Sequence, residues 1–514
     1  MGRNQKTISC IFPLNILRKG RMILMHYLLG IDFGGGASKA TLLTEDGRVA
    51  AEHTVEYPTL HPAADRCEQN PDDWQRALNE NIRALLEKSG ADPAAILAIA
   101  IDSATHTAVL CDRDFRPIRP AIHWTDSRSR EQVQKLRAHE EEIVRLAFHR
   151  PDTIWTLPQL IWVRQNEPDV FSRLHAIFFE KDYIRYLLTG VYCTDYIEAE
   201  GSMLFDCRTM TWSSELCAMA GIDPAILPPI VQPTDRIGAI TERAAAETGL
   251  KAGTPVICGS TDTVMEVFAS GAVQRGDMTV KLATAGRICV ITDRAYPHPD
   301  LINYSHIADG LWYPGTATKS CAASYRWFRD TFGGDYRELD GGAEQVPAGC
   351  AGLMFHPYLN GELTPYADPL LCGSFTGIRA NHTKAHFARA VMEGVTLSLL
   401  DCKRALDHIG IPYGNTATVI GGGAKGRLWR QITADALGLT LNTTESSDSS
   451  LGSAMLAGIA AGVFADPSDA VRRCIRITGS TVPQPEQTAR YAELFEKYKR
   501  IHDALAPVYH EFSI

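Results

Sequence analysis

The sequence predicts an α/β protein built from two similar halves. Strand and helix patterns alternate from Tyr27 to the end, as in sheets covered by helices. A strand, a turn of small residues and a second strand open the chain at Tyr27–Val49, and the same order returns at Asp277–Asp293. At 514 residues the chain is too long for one compact core. We therefore expect two domains, residues 25–270 and 271–514.

The first half is predicted to begin with a β-meander and a helix. Helical spacing of apolar residues predicts the helix at Trp74–Leu86, and Asn70-Pro71-Asp72 supplies its start signal. The apolar run Ile96–Ile101 predicts a buried strand that ends in a polar stretch. The meander strands are expected at Tyr27–Asp32, Ala40–Leu43 and Arg48–Tyr57.

The second half is predicted to continue with a strand before the glycine-rich segment "GGGAKG" and with four helices. Apolar residues at helical spacing predict the helices. They are expected at Ala385–Ala405, Leu428–Leu437, Leu451–Ala461 and Glu486–Ala504.

Composition narrows the class of protein. The net charge of −9 argues against a nucleic-acid partner, whose binding surface would be basic. No apolar run reaches the roughly 18 residues of a membrane span, so we expect no membrane partner. The 13 cysteines include no CxxC pair, which argues against a zinc ribbon, and their odd number in a long chain favours a reducing cytoplasm.

The first 24 residues are expected to lie outside the fold. The segment is basic at both ends of a short apolar patch, Pro13 interrupts that patch, and no small-residue cleavage site follows. It is therefore a poor signal peptide. We expect residues 1–24 to be a disordered extension or a misassigned start, with the true start at Met22 or Met25.

The two turns of small residues are candidates for binding phosphate. Glycine-rich hairpin turns present backbone N–H groups, which together form an anion-binding concavity. The first turn is Gly34-Gly35-Gly36, directly after the lone acid Asp32, which could hold the Mg²⁺ that phosphates need. The alternative is a glycine-rich bulge beside a solvent-facing acid. A second turn, Thr284-Ala285-Gly286, favours phosphate binding.

A third glycine-rich segment leaves two interpretations open. "GGGAKG" at Gly421–Gly426 matches GxGxxG after a strand, and Glu445 lies at a suitable distance for a ribose acid. That pattern favours an NAD-dependent dehydrogenase. The motif comes late in the chain and could equally contact an adenosine group. No Walker A motif is present, because the Lys-Ser/Thr pair is missing.

Polar residues at strand ends are candidates for the chemistry. Asp262 follows an apolar strand, where a carboxylate could accept a proton from an attacking hydroxyl. The alternative role for Asp262 is an Asx turn or a helix N-cap. His106, Trp124 and Asp126 form a polar and aromatic set of the kind that binds sugars. A lone histidine is more often structural, so this set matters only together with the others.

Several motifs in order resemble one family. The chain is similar to the FGGY carbohydrate kinases, most of all to their xylulokinase branch, from Tyr27 to about Tyr509. The motifs that carry the resemblance are "PIRPAIHWTDSRS" (Pro117–Ser129), "KDYIRYLLTG" (Lys181–Gly190), "PYLNGELTP" (Pro357–Pro365) and "GGGAKGRLWRQITADALGL" (Gly421–Leu439).

The resemblance implies two actin-like, ribonuclease-H-type domains with a ligand cleft between them. It also implies transfer of the γ-phosphoryl group of ATP, with Mg²⁺, to a sugar or polyol hydroxyl. Carried over by motif, the roles are metal binding for Asp32; phosphate and adenosine binding for Gly34, Gly36, Ser38, Thr284, Gly286, Gly421, Gly422 and Gly423; sugar binding for Thr105, His106, Trp124 and Asp126; and general base for Asp262.

Departures from the family pattern keep the sugar open. Gly35, Gly36 and Ala37 replace hydroxyl residues of the first turn, and Ala104-Thr105-His106 replaces Gln-Met-His. Leu363 stands where arginine is common and Gln159 where lysine is common. We expect a kinase for a small ketose, with D-xylulose first, then ribulose, another ketopentose or deoxyketose, or an erythritol-type polyol. A dehydrogenase and a catalytically weak sugar-binding relative are the alternatives, and a homodimer is left open.

Overall fold

Two six-stranded mixed sheets form the framework of the protein. The computed structural model describes residues 25–512 and the backbone of two short strands, Leu17–Arg18 and Arg21–Met22. The prediction for residues 1–24 otherwise lies outside the described residues. Within them, no helix has the length and apolar character needed to cross a membrane.

The first sheet combines an antiparallel meander with parallel strands. Tyr27–Phe33 pairs antiparallel with Ala37–Thr44 and parallel with Ile96–Ser103. Apolar residues fill both faces of these strands, as expected for strands covered on two sides. The strand order is Arg236–Ala239, Pro255–Ile257, Ile96–Ser103, Tyr27–Phe33, Ala37–Thr44, Val49–Glu56.

The second sheet repeats this topology, which confirms the prediction of two similar halves. Met278–Leu282 pairs antiparallel with Gly286–Val290 and parallel with Thr416–Ile420. The sheets differ in the chain order of their edge strands, because Ile477–Thr481 is the last strand of its half. The strand order is Gly315–Thr318, Gly286–Val290, Met278–Leu282, Thr416–Ile420, Thr440–Thr444, Ile477–Thr481.

The helices agree with the sequence patterns that predicted them. The helix Pro71–Ser89 begins after Asn70, whose side chain accepts a hydrogen bond from the Asp72 N–H. The other α-helices of the first half are Arg130–Leu136, Glu140–Ala147, Thr156–Asn166, Pro168–Ser172, Glu180–Thr189, Tyr196–Gly201, Ser214–Ala220, Glu242–Thr248 and Asp262–Ala269. Those of the second half are Ala322–Phe332, Tyr336–Glu344, Lys384–Ile409, Arg427–Leu437, Ser449–Ala460, Pro467–Cys474 and Pro485–His510.

Short strands complete the described structure. They pair two by two outside the main sheets. They are Glu68–Gln69, Ala108–Cys111, Ala121–Ile122, Ala176–Phe179, Thr194–Asp195, Phe205–Asp206, Thr211–Trp212, Ile230–Val231, Met354–His356 and Ser374–Thr376.

One helix of the second half covers the inner face of the first sheet. The helix Ser449–Ala460 packs on the strands that begin at Tyr27 and Ile96. Glycines allow this close approach, because a Cβ on Gly30 would lie 2.0 Å from the Ser450 carbonyl oxygen. The two halves therefore share one continuous interior at this point.

Candidate active site

Three acids meet at one edge of the first sheet. The parallel register sets Asp32 beside Asp102 at the ends of neighbouring strands. A parallel bridge between Ser103 and Thr261 brings in the next segment, so that Asp262 follows at the same edge. Ligands of open α/β sheets bind outside the carboxyl ends of such strands.

The Asp32 and Asp102 carboxyl groups form a pair in which Asp102 is fully buried and Asp32 is half-buried. Asp102 is fully buried and accepts a hydrogen bond from the Ser453 hydroxyl, whereas the Oδ1 atoms of both acids have no partner among the described residues. Burial, followed by the charge of Asp448, raises the pKa of Asp32 to about 8. Burial and the neighbouring Asp32 raise the pKa of Asp102 well above its usual value. A divalent cation fits these orphaned oxygens, because it favours their charged form.

The first turn directs its carbonyl groups away from its free N–H groups. The Tyr57 hydroxyl donates to the Gly34 carbonyl, and the Thr59 hydroxyl donates to the Gly35 carbonyl at 2.6 Å. The Tyr57 N–H donates to the Gly36 carbonyl at 3.0 Å. Within residues 25–512, the N–H groups of Gly35 and Gly36 donate to no protein group. They can therefore form the anion-binding concavity that the sequence predicted.

The glycines of the first turn leave space around its backbone. A Cβ on Gly34, Gly35 or Gly36 would come no closer than 3.6 Å to any neighbour. The fold itself therefore does not require glycine here, and the bare backbone suits close approach by a ligand. Ser38 is not part of this turn, because its fully buried hydroxyl accepts a hydrogen bond from the Asn81 amide. The structure thus does not bring the Ser38 side chain to the site.

The second turn also has free N–H groups, but backbone groups hold its carbonyl in place. The Thr284 carbonyl accepts hydrogen bonds from the N–H groups of Cys321 at 2.9 Å and Ala323 at 3.3 Å, at the start of the following helix. The N–H groups of residues 283–285 donate to no group in the described part of the chain. The Gly286 N–H donates to the Thr318 hydroxyl at 3.3 Å. This turn also offers free N–H groups to an anion.

The third glycine segment lies directly against the second turn. Gly421 has a φ of +91°, and a Cβ there would lie 2.7 Å from the Leu282 carbonyl oxygen. Only glycine fits such a position without strain. A Cβ on Gly423 would also meet Leu282 at 3.0 Å, whereas Gly422 has open space around it. The structure therefore brings Gly421, Gly422 and Gly423 together with the second turn.

Asp262 does not cap the helix that begins at this residue. The helix Asp262–Ala269 is capped by Thr261, whose side chain accepts from the Val264 N–H. The Asp262 Oδ1 atom accepts from the Thr105 hydroxyl at 2.8 Å and from the Thr105 N–H at 3.3 Å. The N-cap interpretation of Asp262 is wrong, and the carboxylate is held in place by the predicted sugar residue Thr105.

His106 is buried in a strained conformation beside Thr105. Its φ is +56°, its N–H donates to Glu198 at 2.6 Å, and its carbonyl accepts from the Thr156 hydroxyl at 2.8 Å. The ring lies 4.8 Å from the Trp155 ring, and Nδ1 has no partner among residues 25–512. Burial lowers the pKa of His106 to about 3, so the ring is neutral. Backbone strain of this kind is typical of functional sites.

Trp124 and Asp126 follow His123, whose ring would lie 3.6 Å from a Cβ on Gly35 of the first turn. Both oxygens of the buried Asp126 carboxylate are bound by Arg128, and the Cys67 N–H donates to it at 2.6 Å. This acid is therefore already saturated. Trp124 is 37% exposed beside His123, and no hydrogen bond or ring contact in the described chain joins it to His106.

Residues of the motif "KDYIRYLLTG" bind the segment that precedes Asp262 through ion pairs and hydrogen bonds. The buried Lys181 ammonium binds Asp182 and Asp195, and Asp195 accepts from the Ser260 hydroxyl at 2.8 Å. Arg185 donates to the Cys258 carbonyl at 2.6 Å. Buried ion pairs are costly unless all their groups are bound. Their role here is to fix the position of the loop that carries the acid.

Comparisons with known proteins agree with this geometry. Residues 27–269 match the FGGY family of carbohydrate kinases, N-terminal domain, and residues 293–461 match the C-terminal domain of the same family. The chain belongs to the FGGY family of carbohydrate kinases. It is a carbohydrate kinase with the actin-like, ribonuclease-H-type fold that the resemblance implied. Kinases of this family use ATP as the phosphate donor.

Relatives that are named for different substrates resemble this kinase over nearly its whole length. A xylulose kinase of Bacillus subtilis is 31% identical over 484 residues, which is 93% of this chain and 97% of that protein. A gluconokinase of Bacillus licheniformis is 28% identical over 95% of this chain and 98% of its own length. The crystal structure of a ligand-bound xylulose kinase from Lactobacillus acidophilus is 27% identical and covers 95% of this chain and 100% of that one, with a TM-score of 0.89.

The dehydrogenase interpretation of "GGGAKG" is wrong for this kinase. The strand Thr416–Ile420 before the motif belongs to a sheet that contains an antiparallel hairpin, not to a six-stranded parallel nucleotide-binding sheet. The residues after Gly421 form a 3₁₀ turn at Gly422–Lys425 before the next helix. A dinucleotide-binding motif needs the parallel sheet as its context.

Sequence reasoning missed several charged residues of the site. Asp102 ends an apolar strand just as Asp32 does, which was an available signal. Glu180, directly before the "KDY" motif, is fully buried, and burial together with Asp262 raises its pKa well above its usual value. Lys281 and Arg287 flank the second turn, and a charge within an apolar strand could have marked each of them.

Proposed function

We propose that this kinase transfers the γ-phosphoryl group of ATP to a hydroxyl of a small ketose, with Asp262 as general base. The observation that carries the proposal is the release of Asp262 from helix capping by Thr261. The acid lies at the same sheet edge as Asp32 and accepts hydrogen bonds from Thr105, which precedes His106 in the chain. D-Xylulose is the first substrate to test, in line with the relatives that are named xylulose kinases.

The residues divide the work of phosphoryl transfer. Thr105 holds one oxygen of Asp262, and the other oxygen accepts the proton of the attacking hydroxyl. Asp32 and Asp102 would hold Mg²⁺, and the free N–H groups of the two turns would orient the phosphates. Bound MgATP supplies the phosphoryl group and a metal that neutralises its charge. Positioning and charge balance therefore do most of the catalysis.

Other substrates are also consistent with the site. Ribulose, another ketopentose or deoxyketose, and an erythritol-type polyol are alternatives within the family. The relatives named gluconokinase and gluconate kinase favour a sugar acid as the second candidate. The division at residue 270/271, a homodimer and a cytoplasmic location remain predictions, and light scattering of the purified protein tests the dimer.

The first experiment measures ADP release with MgATP against a panel of ketoses, polyols and sugar acids. Asp262→Asn should lower kcat by about 10³-fold, because the attacking hydroxyl loses its base. Asp330→Asn is the matched control, because Asp330 is an exposed partner of Arg329. A loss of less than tenfold in Asp262→Asn contradicts the assignment of the base. Sugar binding without turnover on any substrate would instead support the weak sugar-binding relative.

A further inference from the structure

A lysine of the second sheet faces the first half, just before the second turn. Lys281 lies in its strand between Val280 and Leu282, which are fully buried in the core of the second half. Because neighbouring side chains of a strand point to opposite faces, Lys281 points away from that core. Its side chain is 26% exposed and that of its partner Glu266 is 24% exposed, so this ion pair borders open space that a ligand can enter.

Two contacts set the register between this strand and the helix Asp262–Ala269. The Lys281 Nζ atom lies 2.5 Å from the Glu266 carboxylate. The hydroxyls of Thr279 and Ser270 are 3.2 Å apart. The two contacts are evenly spaced, because four residues of a helix and two residues of a strand each span about 6–7 Å. Helix and strand therefore run side by side in opposite directions.

The same register carries the proposed base to the second turn. One further step, of four residues in the helix and two in the strand, sets Asp262 opposite Ala283. Ala283 directly precedes the second turn, and its N–H donates to no group within residues 25–512. The charge of Asp262 also acts on Lys281. The ammonium of Lys281 is therefore one step away from both the base and the turn proposed to bind phosphate.

Lys281 faces a second cation across the hairpin. Its cross-strand partner is Arg287, and like charges directly opposite each other destabilise a pair of strands. Within residues 25–512, Glu266 is the only carboxylate that forms an ion pair with either cation. Although burial lowers the pKa of Lys281, the charges of Glu266 and Asp262 raise it, so the ammonium keeps its charge. A bound anion relieves the repulsion between the two cations.

We propose that Lys281 is a further catalytic residue, whose ammonium group contacts the phosphoryl group during transfer while Glu266 positions the ammonium. The inference rests on the proposed kinase function. In the transfer, the substrate hydroxyl oxygen bonds to the γ-phosphorus of ATP as the bond from that phosphorus to the β,γ-bridging oxygen breaks. Asp262 takes the hydroxyl proton, and ADP leaves with the electrons of the broken bond. A cation here stabilises the charge on the transferring oxygens.

Kinetics compare Lys281→Met and Lys281→Arg with the wild type on the best substrate of the panel. Lys281→Met should lower kcat about 100-fold and change the KM of the substrate less than about threefold, because the lost contact acts on the transition state. Lys281→Arg keeps the charge and should recover about tenfold of this loss. Glu266→Gln should cost less than Lys281→Met, since the ammonium remains. Lys135→Met, which breaks an exposed ion pair with Glu131, is the control.

Nucleotide binding tests the contact without turnover. Calorimetry measures ADP and the non-hydrolysable analogue β,γ-imido-ATP, each with Mg²⁺, on the wild type and Lys281→Met. The substitution should weaken binding of the analogue about tenfold and leave ADP unchanged, because only the analogue carries a γ-phosphoryl group. If the wild type phosphorylates no substrate but the analogue shows this difference, the contact of Lys281 stands and the kinase proposal fails.

An ion pair that only joins the two halves gives a different pattern. Lys281→Met and Glu266→Gln would then lower the urea midpoint of unfolding equally, while kcat falls less than about fivefold, and the inference is overturned. Equal losses of affinity for ADP and the analogue also overturn it, because they place Lys281 at a part of the nucleotide that ADP shares. Lys281→Gln, which keeps a polar side chain beside Glu266, replaces Lys281→Met if that variant does not fold.

Discussion

The two glycine-rich turns both present free backbone N–H groups, but different groups hold their carbonyls in place. In the first turn, the hydroxyls of Tyr57 and Thr59 hold the carbonyls of Gly34 and Gly35. In the second, backbone N–H groups at the start of a helix hold the carbonyl of Thr284. The first turn therefore depends on side chains that one substitution can remove, whereas the second depends on the helix itself.

The charges beside the two turns also differ. The paired acids Asp32 and Asp102 stand next to the first turn, whereas Lys281 and Arg287 flank the second. Two similar sheets thus contribute opposite charges to one cleft. This division suits a reaction that uses a cation and transfers an anion, because charges of both signs lie beside the turns.

The largest expected effect on activity comes from removing the acid beside the first turn. Asp32→Asn should lower kcat by 10³-fold or more, about 4 kcal/mol, because one of the two carboxylates proposed to hold the metal is lost. Steady-state ADP release at saturating substrate measures this change. Asp46→Asn, an exposed acid in the next turn, should leave kcat unchanged. Equal activity in both variants would remove Asp32 from the metal site.

A smaller effect tests the contact behind the second turn. Gly421→Ala should lower the free energy of unfolding by about 2 kcal/mol, because the new Cβ overlaps the Leu282 carbonyl at positive φ. Gly422→Ala, with open space around it, should change the value by less than about 0.5 kcal/mol. Urea unfolding of both variants makes the comparison. Similar midpoints would show that the glycine segment is not pressed against the turn.

The smallest expected effect comes from a substitution that removes one hydrogen bond to the first turn. Tyr57→Phe should raise the KM for ATP about fivefold, near 1 kcal/mol, because the Gly34 carbonyl loses its hydroxyl donor. Tyr336→Phe, at an exposed tyrosine of the second half, provides the control. ATP titration at saturating sugar measures both KM values. An unchanged KM would mean that the remaining donors suffice to hold the turn.

The fold could be predicted from sequence where the signals are local. Apolar runs gave the central strands, Asn70 marked the start of its helix, and turns of small residues marked both halves. Ser38 shows the limit of this reasoning. It adjoins the glycine turn in sequence, but strand alternation turns its side chain towards Asn81.

The site was harder to predict, because packing between residues far apart in the chain decides which carboxylates are buried and which already have hydrogen-bond partners. Nothing local distinguishes Asp126, whose oxygens are already bound, from Asp32, whose Oδ1 atom has no described partner. The pairing of Asp32 with Asp102 requires the strand register, which joins residues far apart in the chain. The sequence likewise does not show that Arg287 packs over the rings of Tyr304 and Tyr313, because only the tertiary fold brings them together.

The helix Ser449–Ala460 also has a consequence for how the protein is made. It covers the inner face of the first sheet, although that sheet is complete in sequence by Ile257. On the ribosome, about 200 further residues must be added before the cover exists, which takes about 10–40 seconds at about 5–20 residues per second. During that interval the nascent first half presents an uncovered apolar surface, where a chaperone can bind.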